Sequence, residues 1–109
     1  MARTLHTAAL AFALTATCPA QARLEGQVIS PCEEPVPAAR VECEHDGIVI
    51  AHTFSDATGR FAFKDVPHEF VVVHAFAAGP DVGAARIDLL GTDHAFVRVR
   101  TMPARVVRG

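Results

Sequence analysis

Beyond the first 22 residues, the side chains whose types could do chemistry are five histidines, His45, His52, His68, His74 and His94, two cysteines, Cys32 and Cys43, and several carboxylates. A metal centre needs three or four ligands converging at about 2 Å, usually announced by short spacings such as H-x-H or H-E-x-x-H. None occurs here. His52 and His74 are the pair that the strand pattern could turn inward and bring together, which makes them the candidate metal or small-molecule ligands. The segment "SDATG" (Ser55–Gly59) loosely resembles a calcium loop, but such a loop needs oxygen ligands at alternate positions and a closing bidentate Glu. Only Asp56 and, further along, Asp65 qualify. Ser30 and Ser55 lack the G-x-S-x-G setting of a nucleophile elbow. Glu33-Glu34 and Glu42/Glu44 read as a solvated acidic rim. The chain has no glycine-rich phosphate loop and neither Trp nor Tyr, so the aromatic platforms typical of sugar or single-stranded nucleic-acid binding are missing. Neither a catalytic residue nor a cofactor is expected.

The elements that would position these residues begin after a leader. Met1-Ala2-Arg3 is a short basic start, Ala8–Ala16 ("AALAFALTA") is an apolar run, and Ala20 and Ala22 supply an A-x-A cleavage pattern before Arg23. Together they read as a secretory signal peptide over residues 1–22. The apolar run is too short for a span of about 20 residues, so no stable membrane insertion is expected, and residues 23–109 form one domain. Cys18 lies in the leader, and lipidation there lacks the usual preceding pattern. The address expected is periplasmic or secreted. In that compartment Cys32 and Cys43, the two remaining cysteines, read as a disulfide. The whole chain carries a formal charge of −2, and the leader removes one Arg and no acidic residue. So weak a charge argues against binding nucleic acid by bulk attraction.

Beyond the leader, β-rich runs are cut by Pro, Gly and Asp at intervals near ten residues, the pattern of an all-β sandwich or barrel. Strands are expected over "RLEGQVIS" (Arg23–Ser30), "AARVECEH" (Ala38–His45), the run after Asp46-Gly47, within the stretch "TFSDATGRFAFKDVP" (Thr53–Pro67), where Pro67 stops the strand, and over "EFVVVHAFAA" (Glu69–Ala78), "AARIDLL" (Ala84–Leu90) and "HAFVRVRT" (His94–Thr101). That makes seven, in a two-sheet antiparallel sandwich. Asp46-Gly47 between alternating runs is the hairpin dipeptide, because both central residues need φ > 0. A two-residue loop there sets His45 against Ile48 and Cys43 against Ile50, and puts Val41, Cys43, Ile48, Ile50 and Phe54 on the core face. Glu69–Ala78 is apolar on both faces. With Phe70, Val72, His74 and Phe76 inward, Val71 and Val73 are left as a self-association or docking surface. Arg98, Arg100, Arg105 and Arg108 give a basic tail, read as edge protection.

The pieces "GQV" (Gly26–Val28), "PVPAARV" (Pro35–Val41), "TFSDATGRFAF" (Thr53–Phe63), "VP" (Val66-Pro67), "EFVVV" (Glu69–Val73) and "AG" (Ala78-Gly79) follow one another as in a known family. The chain resembles the carboxypeptidase regulatory-like domain, a transthyretin-like (prealbumin-like) β-sandwich, from Arg23 to about Thr101. Two positions depart from the family pattern: Glu69 stands where a Gly is usual, and His74 where an inward aliphatic is usual. The resemblance implies an exported, non-catalytic accessory module with a protein or carbohydrate partner and a shape akin to carbohydrate-binding sandwiches. The closing "VVRG" is faintly similar to 5-hydroxyisourate hydrolase, which shares the broad fold. That enzyme's terminal Tyr and N-terminal His have no counterpart here. The alternative kept open is a small-molecule or metal site, hydrolytic or not, around His52 and His74.

Overall fold

The computed structural model describes residues 21–79 and 81–103. All but the last two residues of the leader read over residues 1–22, and the arginines at 105 and 108, lie outside them. Eight strands form in chain order: β1 (Ala22–Ile29), β2 (Arg40–His45), β3 (Ile48–Phe54), β4 (Arg60–Val66), β5 (Phe70–Phe76), β6 (Asp81–Asp88), β7 (His94–Arg100) and the two-residue β8 (Met102–Pro103). They make two sheets, β4-β1-β7 and β3-β2-β5-β6-β8. The expected all-β sandwich is therefore what the chain forms, with the seven strands anticipated and a short eighth. One pairing is not antiparallel: β1 runs parallel to β7 over Arg23–Ile29 and His94–Arg100. Ala22, at the end of the leader as read from the sequence, is buried and opens β1 opposite Val66. No helix among the described residues is long and apolar enough to cross a membrane.

Period-two alternation builds the core. Leu24 and Val28 of β1, Val41 and Cys43 of β2, Phe61 and Phe63 of β4, Val71, Val73 and Ala75 of β5, and Val99 of β7 meet between the sheets. Fully burying side chains of this size is worth about 1.5–3 kcal/mol each. Gly26 is required where β1 passes beneath Phe61, since a Cβ there would collide with that ring and with the Val97 carbonyl. Phe61 and Phe63 pack tilted at 60°, ring centres 5.8 Å apart, a favourable aromatic arrangement.

The β2–β3 hairpin closes as expected, with His45 opposite Ile48 and positive φ at Asp46 (53°) and Gly47 (79°). The register beyond it is corrected by a bulge. Between Cys43 and Glu44 the pairing shifts by one residue, so Cys43 faces Ala51 and Val41 faces Thr53. A one-residue slip exchanges the faces of a strand. Ala51 and Thr53 therefore share the core-side positions, while Ile50 and Phe54, expected inside, are exposed; Ile48, also expected inside, keeps its place opposite His45 and is exposed beside the hairpin turn.

Candidate functional site

The same parity question decides β5, and the structure reverses the reading of it. Val71 and Val73 are 1% and 0% exposed. They are core residues, not a docking surface. The outer residues are Phe70, Val72, His74 and Phe76, with Phe70 and Phe76 exposed. A strand apolar on both faces gives period-two logic nothing to choose between. The choice is made by β2, whose unambiguous pattern of Val41 and Cys43 inside and Glu42 and Glu44 outside fixes β5 through the pairings Glu42–His74 and Cys43–Val73.

His74 consequently does not point into the core to meet His52. Both sit on the outer face of the five-stranded sheet, in one row across the strands in which His52 pairs with Glu42 and Glu42 with His74. His74 Nε2 lies 3.4 Å from Glu44 Oε1, and its ring stacks on Phe76 with centroids 6.3 Å apart. Glu42 is taken by Arg40 at 2.8 Å. No group of three or more His, Cys, Asp or Glu among the described residues is placed to hold a metal ion. The other histidines are spread over the molecule: His45 beside Asp46 (3.5 Å) and the Phe70 carbonyl (3.3 Å), His68 near Asp93 (3.7 Å), His94 on Glu25 (2.9 Å).

The expected Cys32–Cys43 disulfide is not formed. Cys32 is an exposed free thiol and Cys43 a buried one. Cys43 lies mid-strand in the core. Cys32 sits in the turn after β1, which Arg100 of β7 holds by donating to the Pro31 carbonyl (2.9 Å) and to Glu33 (3.1 Å). Ser30 Oγ accepts the N–H groups of Cys32 and Glu34 and completes that turn. Burial, with a smaller contribution from the nearby Glu44 charge, pushes the Cys43 thiol up to about 11, so it stays protonated near neutral pH and unreactive.

Two clefts open at the surface. The larger, about 390 Å³, is lined by Glu25, Asp56, Arg60, Phe54, Phe61 and Phe96 among others. Its two carboxylates are both engaged. Asp56 accepts the Thr58 hydroxyl (2.7 Å) and the backbone N–H groups of Thr58 and Arg60, and these bonds, the Thr58 hydroxyl foremost, hold it below the usual carboxylate range. Glu25 is held low by His94 first and then by Arg23, whose Nε donates to it at 2.9 Å. Carboxylates stabilised as anions are poor general acids or bases near neutral pH. Arg60 lies over the Phe96 ring, 5.4 Å from its centroid. The smaller cleft, about 310 Å³, runs between β3 and β4 beside Ile50, Phe63, Lys64 and Asp65.

A feature not anticipated from the sequence is the collected apolar outer surface. Of the ten large hydrophobic side chains exposed among the described residues, eight belong to the five-stranded sheet, and the registers put six of these on its outer face: Val49, Phe54, Phe70, Phe76, Val82 and Met102. The registers line four of them up in a single row with Arg40: Phe54, Arg40, Phe76, Val82 and Met102 run across β3-β2-β5-β6-β8. The signal was present in "EFVVVHAF" as a doubly apolar strand, but which of its faces stays outside follows only from the pairing.

These features define a two-sheet β-sandwich with an apolar outer face. Solved structures share the fold. A DUF3823 family protein from Parabacteroides merdae superposes with a TM-score of 0.62 at 17% identity, over 79% of this chain and 48% of that one. BcpA, the major pilin subunit of Bacillus cereus, gives 0.60 at 10% identity, over 79% and 31%. The dioxygenase domain of a dioxygenase carbohydrate-binding protein fusion from Streptomyces sp. SirexAA-E gives 0.57 at 15%, over 81% and 84%. The chain thus spans about half, or less, of the first two. No family model matches the chain, and no curated protein is significantly similar to it in sequence.

Proposed function

We propose that the protein is an exported, non-catalytic β-sandwich module of the carboxypeptidase regulatory-like type, acting by binding a partner through the outer face of its five-stranded sheet. The observation that carries this reading is the concentration of exposed apolar side chains on that one sheet. Contiguous apolar surface of this kind marks interaction sites. The engaged state of the cleft carboxylates, Glu25 and Asp56, supports a binding role over a catalytic one. Export rests on the leader pattern of residues 1–22. The resemblance implies a protein or a carbohydrate partner, and the fold is common to a pilin subunit and to the dioxygenase domain of a dioxygenase carbohydrate-binding protein fusion. Likeness of fold does not by itself supply a function.

The rival reading, a small-molecule or metal site at His52 and His74, draws on their shared row with Glu42. Fractionation of cells expressing the full chain, followed by titration of the recovered protein with Zn²⁺ and Cu²⁺, separates the two. Recovery outside the cytoplasm with no saturable metal binding is the expected result. Saturable binding lost in His74→Val would replace the module with the histidine site, and retention in the cytoplasm would remove export.

A further inference from the structure

The outer face of the five-stranded sheet has properties that select among its conceivable occupants, and we infer that it pairs with the same face of a second copy of this chain. The inference deepens the interaction-module reading and rests on it. Charge is the first argument. The face carries Arg40 and Arg86 together with Glu42, Glu44 and Asp88, on β2 and β6. Part of that charge is already matched within the sheet, by Arg40 on Glu42 at 2.8 Å. A surface with both signs in near balance can meet itself across a two-fold axis without net repulsion, and an isologous contact uses one patch twice. A strongly charged partner would find little to neutralise here.

Extent is the second argument. Four strand spacings of about 4.8 Å and seven residues at about 3.3 Å give a footprint on the order of 450 Å² per copy before side-chain relief. Two such faces remove on the order of 1,000 Å² from water, the lower bound for a specific interface. Packed sheets lie about 10 Å apart, the thickness of one interdigitated side-chain layer. Phe54, Phe70 and Phe76, 58%, 53% and 40% exposed, are the side chains long enough to fill it. The pair would be a four-layer sandwich.

The test replaces Phe76 by the photo-crosslinking residue p-benzoyl-phenylalanine in the full chain, irradiates expressing cells, and measures the mass of the products. A species of twice the chain mass supports the second copy. A product of any other mass overturns the second copy and leaves the module reading standing. Absence of any product overturns both. Sedimentation equilibrium of the purified protein from about 1 to 500 μM supplies the independent measurement. The wild type and Phe96→Lys, altered on the opposite sheet, should dimerise alike, while Phe76→Lys should weaken the dimer at least tenfold. A monomer throughout, or a dimer indifferent to Phe76→Lys, overturns the inference. Phe54→Lys, at the more exposed end of the same row, takes its place if circular dichroism shows Phe76→Lys to be unfolded.

Discussion

Asp56 and Phe61 stand five residues apart and do opposite work. Asp56 organises the β3–β4 turn through three hydrogen bonds and leaves Gly59 to take the corner at φ 78°. Its carboxyl is held low in the folded state, so its contribution to stability is present above the unfolded pKa near 4 and is lost as pH falls through the lower folded value. Asp56→Asn should therefore lower the urea midpoint modestly at pH 7, where the charge contributes, and flatten the acid limb below about pH 4, where variant and wild type converge. An unaltered acid limb would show that the turn draws nothing from the charge. Phe61 is 5% exposed, and Phe61→Ala should cost about 3–5 kcal/mol by urea denaturation. The two thiols divide in the same residue-by-residue way. Alkylation of the native protein followed by peptide mapping should label Cys32 and spare Cys43 until the chain is unfolded.

The elements were legible in proportion to how asymmetric their faces are. β1, β2 and β4 alternate cleanly, and their strand limits and core residues could be read from the sequence, as could the Asp46-Gly47 turn and the T-x-S-D-x-x-G-x-F-x-F unit that carries β3 into β4. β3 and β5 could not be read as well, because "IVIAHTF" and "FVVVHAF" place apolar residues at both parities. For β3 the answer depends on a bulge, and for β5 on the strand beside it, so His52, His74, Val71 and Val73 all changed sides together. Ser55 shows another limit. Its hydroxyl donates to the Val36 carbonyl at 2.7 Å and accepts the Ala39 N–H at 2.8 Å, fastening the loop before β2 to the end of β3. A serine in an S-D pair gives no sign in sequence of a partner sixteen or more residues away. Ser55→Ala leaves a buried donor and acceptor without partners, and should cost about 1–3 kcal/mol by denaturant titration while leaving the β-sheet circular dichroism unchanged. A loss well under 1 kcal/mol would mean that water takes over both groups.

At the scale of the whole molecule, the small core raises the question of what else holds the sandwich together. Domains of this size commonly gain from a covalent staple, and the sequence offers one in Cys32 and Cys43. The structure instead ties the first loop down with side-chain bonds, Arg100 to Pro31 and Glu33, Ser30 to its own turn, and Ser55 to Val36 and Ala39. It also closes the three-stranded sheet by running β7 parallel to β1, so that the end of the chain's last long strand supports its first. The consequence is measurable without any mutation. A bridge closing a loop of about a dozen residues would be worth roughly 2–3 kcal/mol. In a domain of under a hundred residues each kcal/mol moves the melting midpoint by about 4–8 °C. Reduction of a bridged protein should therefore lower its midpoint by at least about 8 °C. With both thiols free, dithiothreitol should leave the midpoint unchanged within about 1 °C. A drop of the larger size in protein recovered from an oxidising compartment would show that Cys32 swings in to meet Cys43 after export, and that the side-chain fastenings of the first loop yield to the covalent one.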